Sequence, residues 1–464
     1  MTNLLLNTDS YKTSHFRQYP PGTTHISSYI ESRPRPGEPA EVVFFGLQMF
    51  IQEYLMKPFT SKDIREALAI CVDHGIPFNE EGWRYIYDEY DGYLPLRIEA
   101  LPEGTVSAPG TPLVQVRNTD PMVPWLTSYM ETALLRAVWY PSTVATKSRA
   151  AKKIIMQNLQ KTSDDPEGQI SFKLHDFGAR GCTSLEQAGI GGAAHLINFM
   201  GTDTLSGIMA ARKFYDADMP GYSIPAAEHS TMTSWGRDNE AEAYHNMLDA
   251  FPTGLVAVVS DSYDFKNAVD NIWGKVLRDE VLARDGTLVV RPDSGDPVDM
   301  VLYALESLGQ SFGYTTNSKG YKVLHPKVRI IQGDGIDIPA MTTILERMAF
   351  QGWSGDNVAF GMGAGLLQHV NRDTLRFAMK ASARCGKDGW TEIFKDPITD
   401  PGKSSKRGIQ KVYWMDRGYV IDHSTAPDND PANILAPVYI LEPGMEYPAF
   451  VPTTFDEIRE RAAI

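Results

Sequence analysis

The chain has 464 residues, 42% hydrophobic and 22% charged, the balance of a soluble globular protein and more chain than one ordinary domain uses. A formal net charge of −14 leaves no basic excess to displace counterions from a nucleic acid, although a few local arginines could still hold a small phosphorylated ligand. No apolar run approaches the roughly 18 residues of a membrane helix, and the start "MTNLLLNTDSYK" reads as neither signal peptide nor anchor. The three cysteines, Cys71, Cys182 and Cys385, are far apart and form no CxxC, which suits a cytoplasmic protein. All three read as ordinary small residues, Cys182 in "ARGCTS" being the one open to reactivity. The ten histidines form no HExxH and no Cys/His cluster, so a zinc site is not expected.

Residues 1–160 mix element types. "GLQMFIQEYLM" has helical spacing, "LPLRIEALPEGTVSAPGTPLVQVRNTD" reads as short strands broken by Pro and Gly, and "PWLTSYMETALLRAVWY" as a long apolar helix. The polar, turn-rich "KTSDDPEGQ" marks a boundary. From 161 to 380 short apolar runs alternate with amphipathic stretches: "ISFKLHDFGARG", "INFMGTDT", "YSIPAAEHS", "LVAVVSDSYD", "TLVVRPDSGDP", "VRIIQGDGID" and "NVAFGMGAG". Each return to a parallel strand needs a crossover helix, so this series predicts an incomplete TIM-like α/β barrel. An open doubly wound sheet is the alternative, but no GxGxxG follows the first strand. Residues 381–464 return to mixed character, with a basic loop "FKDPITDPGKSSKRG" and strands "QKVYWMD" and "GYVID". They are expected to complete, with the N-terminal segment, a second α+β domain.

In a barrel every strand would end on one rim, where such proteins carry their chemistry. The ends here are His175, Asp176 and Arg180; Asp203; Glu228 and His229; Asp261; Arg291 and Asp293; Asp334; and Gly361, Gly363 and Gly365. Taken singly, Asp, Ser and Gly after a strand are turn formers and helix caps: Asp203 could cap the next helix and His229 could be a satisfied buried histidine. Taken together, with Arg180 and Arg291 among them, they describe a ligand site, because turns do not ask for arginine. Arginines and exposed backbone N–H groups suit phosphate, aspartates suit ribose hydroxyls or hydrated Mg²⁺, and Phe177 offers a face to a flat ring.

The stretches "TDSYK", "YPPGT", "YDGYLPL", "LHDFGARG", "FMGTDT", "GYSIPAAEHST", "VVSDSYD", "RPDSGDP", "IQGDGID" and "FKDP" together resemble the nicotinamide phosphoribosyltransferases over nearly the whole chain. The resemblance implies a type II phosphoribosyltransferase fold and a homodimer with two active sites at the subunit interface. It implies conversion of nicotinamide and phosphoribosyl pyrophosphate (PRPP) to nicotinamide mononucleotide and pyrophosphate, with Mg²⁺ and with ATP as co-substrate. Carried over by motif, Phe177 would stack on nicotinamide, Tyr11 of the neighbouring subunit would cover its other face with Asp9 nearby, and Asp203 would accept from the carboxamide. His229, Arg180 and Arg291 would line the phosphates, and Asp261 and Asp293 the ribose, with Asp293 also a candidate Mg²⁺ ligand. Gly333, Asp334, Gly363 and Ala364 would border the ribose 5′-phosphate together with Arg372. Arg33, Lys380, Lys395 and Lys403 would surround the pyrophosphate.

The resemblance also implies ATP-dependent phosphorylation of His229. Glu228, its neighbour on an expected strand, would face the other way, so Asp261 or another rim carboxylate is the better candidate to orient the imidazole. One motif departs from the family pattern: "GMGAG" replaces GSGGG, and an alanine at a position needing φ > 0 would weaken phosphate binding. Three rival functions are nicotinate transfer, a sugar-phosphate lyase or aldolase, and a non-enzymatic interaction protein on the same scaffold. Asp203 would repel nicotinate, no strand end offers the lysine of a Schiff-base enzyme, and the rim residues are intact.

Overall fold

The computed structural model describes residues 3–33, 41–399, 404–416 and 418–463, so Lys403 lies outside it. The chain divides into two compact units, one of Met1–Thr146, Lys213–Ala217 and Asn371–Ala463, the other of Lys147–Arg212 and Asp218–Val370. The first break falls inside the helix Glu131–Thr162, which carries the chain from one unit to the next. The sequence boundary near residue 160 marks where that helix stops, ahead of the Asp165-capped turn of Pro166–Ile170. Among the described residues no helix is long and apolar enough to cross a membrane.

The first unit is α+β. Its seven-stranded sheet runs in the order Gly389–Glu392, Ala378–Gly386, His25–Glu31, Pro112–Asn118, Leu96–Ala100, Ala436–Ile440, Ala449–Phe450. His25–Glu31 pairs antiparallel with Ala378–Gly386 on one side and Pro112–Asn118 on the other. Both ends of the sequence therefore share one ladder, which makes the unit discontinuous in sequence. Under the sheet, Trp83 is fully buried and meets Trp125 and Tyr129 edge-on at 4.9 and 5.1 Å, a geometry that sets each ring's positive edge against a negative face. "QKVYWMD" and "GYVID" form the hairpin Ile409–Met415/Gly418–Ser424.

The second unit is built on a parallel sheet of six strands: β1 (Leu174–Asp176), β2 (Gly201–Thr202), β3 (Thr253–Val259), β4 (Asp285–Arg291), β5 (Val328–Gln332) and β6 (Val358–Met362), in the order β2-β1-β6-β5-β4-β3. The segment 222–227, expected as a full strand, makes only isolated parallel bridges, Gly201↔Tyr222 and Ala226↔Ala257. Pro225 has no N–H to give a ladder. Those two bridges nevertheless link the outer strands β2 and β3, so seven chain segments curl round where a TIM barrel uses eight.

Helices fill the crossovers: α1 (Leu185–Leu196), α2 (Leu205–Tyr215), α3 (His229–Thr233), α4 (Glu240–Ala250), α5 (Pro297–Phe312) and α6 (Ile338–Phe350); α7 (Ala364–Leu367) follows the last strand. Side-chain caps from Ser184, Asp296 and Asp337 start α1, α5 and α6, the last two with proline in the first turn. In the amphipathic stretch "FKNAVDNIWGKVL" between β3 and β4 the chain is wound as a π-helix over Ala268–Val276.

Candidate active site

The site grows out of a period of two. Ala257, Val289 and Ile331 form a buried layer with the partly buried Phe177, Ile224 and Ala359. One strand repeat further along the same face stand Val259, Arg291, Gly333 and Gly361. Beyond them come Asp261, Asp293 and Gly363. The apolar core of the barrel thus gives way to charge and to bare backbone within one turn of the pleat.

The two glycines make room for an aromatic ring. A Cβ on Gly361 would stand 2.0 Å from the Phe177 ring, and one on Gly333 would stand 2.9 Å from it. The Phe177 N–H donates to Met362 O at 3.0 Å, and the partly buried ring packs against Gly333 and Gly361 at the ends of β5 and β6. Beneath it on the same face, His175 is buried, and burial pushes its imidazole down while Asp203 opposes that shift.

His229 opens the short helix α3 and is not on a strand, so the alternation argument about Glu228 does not apply; Glu228 is the N-cap of that helix and accepts from Ser230. The imidazole Nε2 lies 2.9 Å from Asp261 Oδ1, and Nδ1 lies 3.8 Å from Asp293 Oδ2. The Asp261 side chain is nearly buried and that of His229 is 45% exposed, so the carboxylate sits behind the ring and the ring faces outward. With Nε2–H donating to Asp261, the neutral tautomer leaves the Nδ1 lone pair free.

Arg291 Nε is buried, has no hydrogen-bond partner and stands 3.6 Å from Asp293 Oδ1. Burial raises the Asp293 carboxyl above its ordinary range; Arg291 pulls it down, and Asp261 and Asp334 push it up again. Asp261, Asp293 and Asp334, from three different strand ends, therefore share one electrostatic environment with Arg291 and His229. Asp203 is exposed at the end of β2 and accepts from Ser223 Oγ at 2.5 Å. Its N–H donates to Asp176 O at 3.0 Å, which sets the Asp203 turn beside the Phe177 turn. Arg180 is exposed on the turn Ala179–Gly181.

Gly363 precedes α7 with φ −98°, and the non-glycine residues with positive φ among those described are Asp91, Asp216 and Arg376. Ala364 begins α7 in ordinary helical geometry. The expected penalty for alanine in this loop therefore does not arise.

Buried polar atoms without partners mark the same rim. Among the described residues they include Ser262 Oγ, Arg291 Nε and Gln332 Oε1 at or just beyond the ends of β3, β4 and β5, Asp176 Oδ2 and Thr204 Oγ1 close to one another at the ends of β1 and β2, and Gln368 Oε1 after α7. Native interiors rarely leave such groups unpaired, so a polar ligand is the expected partner for this rim. No group of three His, Cys, Asp or Glu among the described residues could hold a metal ion by protein ligands alone.

The other expected residues belong to the first unit. Asp9 Oδ2 accepts from Thr132 Oγ1 at 2.5 Å, and Tyr11 is 59% exposed. Arg33, Lys380 and Lys395 form a cationic group with Lys12: burial lowers the Lys380 ammonium, Glu131 opposes this, and Arg33, Lys395 and Lys12 lower it further. Arg33 keeps Nε and Nη2 buried without hydrogen-bond partners, with Glu31 at 3.5 Å. Arg372 is paired with Asp373 at 2.9 Å. Ser223 in "GYSIP", the donor to Asp203, is missing from the expected site though visible in its motif, and Asp176 in "HDFG", expected only as a strand end, is fully buried.

A curled parallel α/β barrel with an α+β companion, and a rim of aromatic, arginine and carboxylate groups, define the class of phosphoribosyl-transferring barrels. The family model described as nicotinate phosphoribosyltransferase (NAPRTase) family matches residues 172–431, and that of the nicotinamide phosphoribosyltransferase N-terminal domain matches residues 3–98. The chain is 55% identical over 410 residues to a nicotinamide phosphoribosyltransferase of Xanthomonas campestris pv. campestris, covering 88% of this chain and 87% of that one. It is 34% identical to a nicotinamide phosphoribosyltransferase of Acinetobacter baylyi, with 98% and 96% covered. The chain belongs to the nicotinate phosphoribosyltransferase family. Solved structures share the fold at 18% identity: a nicotinate-nucleotide pyrophosphorylase from Pyrococcus furiosus (TM-score 0.60, 99% of this chain and 94% of that one) and human nicotinic acid phosphoribosyltransferase (TM-score 0.59, 98% and 92%).

Asp176 supplies a pH signature. Burial, the largest cause, lifts its carboxyl from 3.8 to about 6. The Gly178 N–H opposes the shift, as does Thr204, whose hydroxyl lies close without meeting hydrogen-bond geometry, and Asp203 adds to it. The folded state thus binds a proton that the unfolded state has lost between pH 3.8 and about 6, so this group's contribution to stability falls as pH rises through that window. Above pH 6 the full cost of the buried charge, about 3 kcal/mol, is in place. Asp176→Asn should therefore be more stable than the parent at pH 7.5 and lose that advantage towards pH 4, measured by denaturant titration across pH.

Proposed function

We propose that this protein transfers the phosphoribosyl group of PRPP to nicotinamide, releasing nicotinamide mononucleotide and pyrophosphate. The observation that carries this reading is Asp203, an exposed carboxylate held by Ser223 on the turn next to the Phe177 ring. A carboxylate there accepts from the N–H of an amide and repels the anion of nicotinate. The relatives at 55% and 34% identity are nicotinamide enzymes by name, and the same substrate follows for this chain.

The ring nitrogen of nicotinamide attacks the anomeric carbon of PRPP as pyrophosphate departs, and the positive charge of the bond change spreads over the sugar and the ring. Asp261 and Asp293 supply negative charge where the ribose would lie, in a partly desolvated setting that strengthens the effect. Phe177 holds the ring in line, and Arg291 and Arg180 receive phosphate oxygens. The attacking nitrogen carries no proton, so no general base is needed. Mg²⁺ would reach this rim on the phosphates of PRPP with Asp293 as a protein carboxylate, a mode that needs only one or two such groups, and would neutralise the departing pyrophosphate.

ATP enters through His229. Its free Nδ1 would take the γ-phosphoryl group, with ADP as leaving group, while Asp261 holds Nε2–H. In a homodimer, Tyr11 and Asp9 of a neighbouring copy would close the nicotinamide site, a role that fits the exposure of Tyr11. The widely spaced cysteines, which form no disulfide among the described residues, fit a cytoplasmic location.

The direct assay is PRPP and Mg²⁺ with nicotinamide or nicotinate, each with and without ATP, and identification of the product. Nicotinamide mononucleotide is expected, and preferential formation of nicotinate mononucleotide would overturn the assignment. Replacing Asp203 by Asn should lower kcat/KM for nicotinamide by about 10- to 150-fold, the worth of a charged hydrogen bond of about 1.5–3 kcal/mol, and relax the exclusion of nicotinate. An unchanged preference would make Asp203 a residue of the turn alone. Labelled ATP should leave an acid-labile phosphoryl group on the parent and none on His229→Ala, with weak ATP-independent synthesis remaining in the variant. Label on the variant would remove His229 from the phosphoryl step. Mixed Tyr11→Ala and Arg291→Ala subunits should regain activity in one hybrid site per dimer, and no recovery after verified exchange would count against a shared site.

A further inference from the structure

We propose that Asp176 is a positioning residue that fixes the Phe177 ring relative to the Asp203 carboxylate and thereby sets the affinity for the pyridine substrate. The inference rests on the reading of Phe177 and Asp203 as the groups that receive nicotinamide. Asp176 makes one bond towards each of them. Its main-chain carbonyl accepts from Asp203 N–H at 3.0 Å, and its side-chain Oδ1 accepts from Gly178 N–H at 2.7 Å, on the residue that follows Phe177.

Gly178 is the far anchor of the aromatic turn. Its N–H is held by Asp176 and its carbonyl by Gln368 Nε2 at 2.9 Å, while Phe177 N–H is held by Met362 O. A side chain at 178 has no place, because its Cβ would stand 2.7 Å from Leu367 and 3.0 Å from Asp176 Oδ1. The Asp176 carboxyl is thus the side chain that holds the Gly178 N–H, while the Gly178 carbonyl accepts from Gln368 Nε2 and from Gly181 N–H at 3.0 Å. The ring itself cannot adjust towards β5 or β6, since it already fills the volume that Cβ atoms of Gly333 and Gly361 would take. A small rotation of the turn would be passed directly to the angle between ring and carboxylate.

The carboxyl is also placed where folding alone would not choose it. It is fully buried, and its Oδ2 has no hydrogen-bond partner. Any side chain with a carbonyl-type acceptor would satisfy Gly178 N–H, and an asparagine would do so without a buried charge. The acceptor at Oδ1 is thus the part of Asp176 that the geometry uses.

The test is steady-state kinetics of the full-length parent, Asp176→Ala and Asp176→Asn, with KM measured separately for nicotinamide and PRPP and with thermal melts of each protein. Asp176→Ala should raise the nicotinamide KM at least tenfold and leave the PRPP KM within twofold, and Asp176→Asn should return the nicotinamide KM to within about threefold of the parent. A nicotinamide KM unchanged in Asp176→Ala would overturn the proposal, as would a parallel rise in both KM values. Failure of Asp176→Asn to restore the nicotinamide KM, or failure of that variant to fold, would make Asp176 a residue of the charge or of the fold and would equally overturn it. If the parent turned over nicotinate in place of nicotinamide, the substrate assignment would fall by itself, and the same comparison made with nicotinate would still decide the role of Asp176.

Discussion

A parallel strand cannot be followed directly by its neighbour, because the chain must first travel back along the sheet. Every strand of the second unit therefore runs the same way and ends on the same side. Six strand ends and the bridging segment at 222–227 bring Phe177, Asp203, His229, Asp261, Arg291, Asp293, Gly333 and Gly363 to one rim, although they span nearly 190 positions of sequence. No single element builds the site. The crossover constraint builds it, and the helices that satisfy the constraint also bury the outer face of the sheet.

Within that rim the polar chemistry is held at an electrostatic cost. The chain is acidic overall, and three carboxylates, Asp261, Asp293 and Asp334, crowd near one arginine. Arg291 offsets part of their repulsion, yet its Nε remains unpaired, and the Asp293 carboxyl is still driven up. Such an arrangement is poor for folding and good for a ligand that carries phosphates on one side and develops positive charge on the other. The first unit holds a separate group of cations in Arg33, Lys380, Lys395 and Lys12, also partly buried. Local charge matters more here than the net charge of the chain.

Much of the barrel was readable without coordinates, because "TLVV" and "VRII" are apolar runs bounded by turn residues and the stretches between them have helical periodicity. The failures have local causes. "YSIPAAEHS" has the composition of a strand, but Pro225 cannot donate, so the segment reaches its neighbours through Tyr222 and Ala226 and then turns into the helix that begins at His229. "FKNAVDNIWGKVL" has the periodicity of an α-helix and is wound as a π-helix. Ala364 stands where the family pattern has glycine, yet its position asks for no unusual backbone angle. Asp176 reads from the sequence as a strand end only, since nothing in the order of residues says that it is buried or that it bonds forward to Gly178 and sideways to Asp203.

What the sequence determined by itself is the succession of elements, the discontinuous α+β companion and the chemical character of each strand end, because periodicity, turn preference and side-chain type are local properties. Tertiary structure alone decided which imidazole nitrogen of His229 is engaged, which carboxyls are driven up, and that Gly333 and Gly361 are small because Phe177 occupies their side-chain volume. Those outcomes depend on distance and burial between residues far apart in the chain, quantities that come into existence only when the strands close on one another.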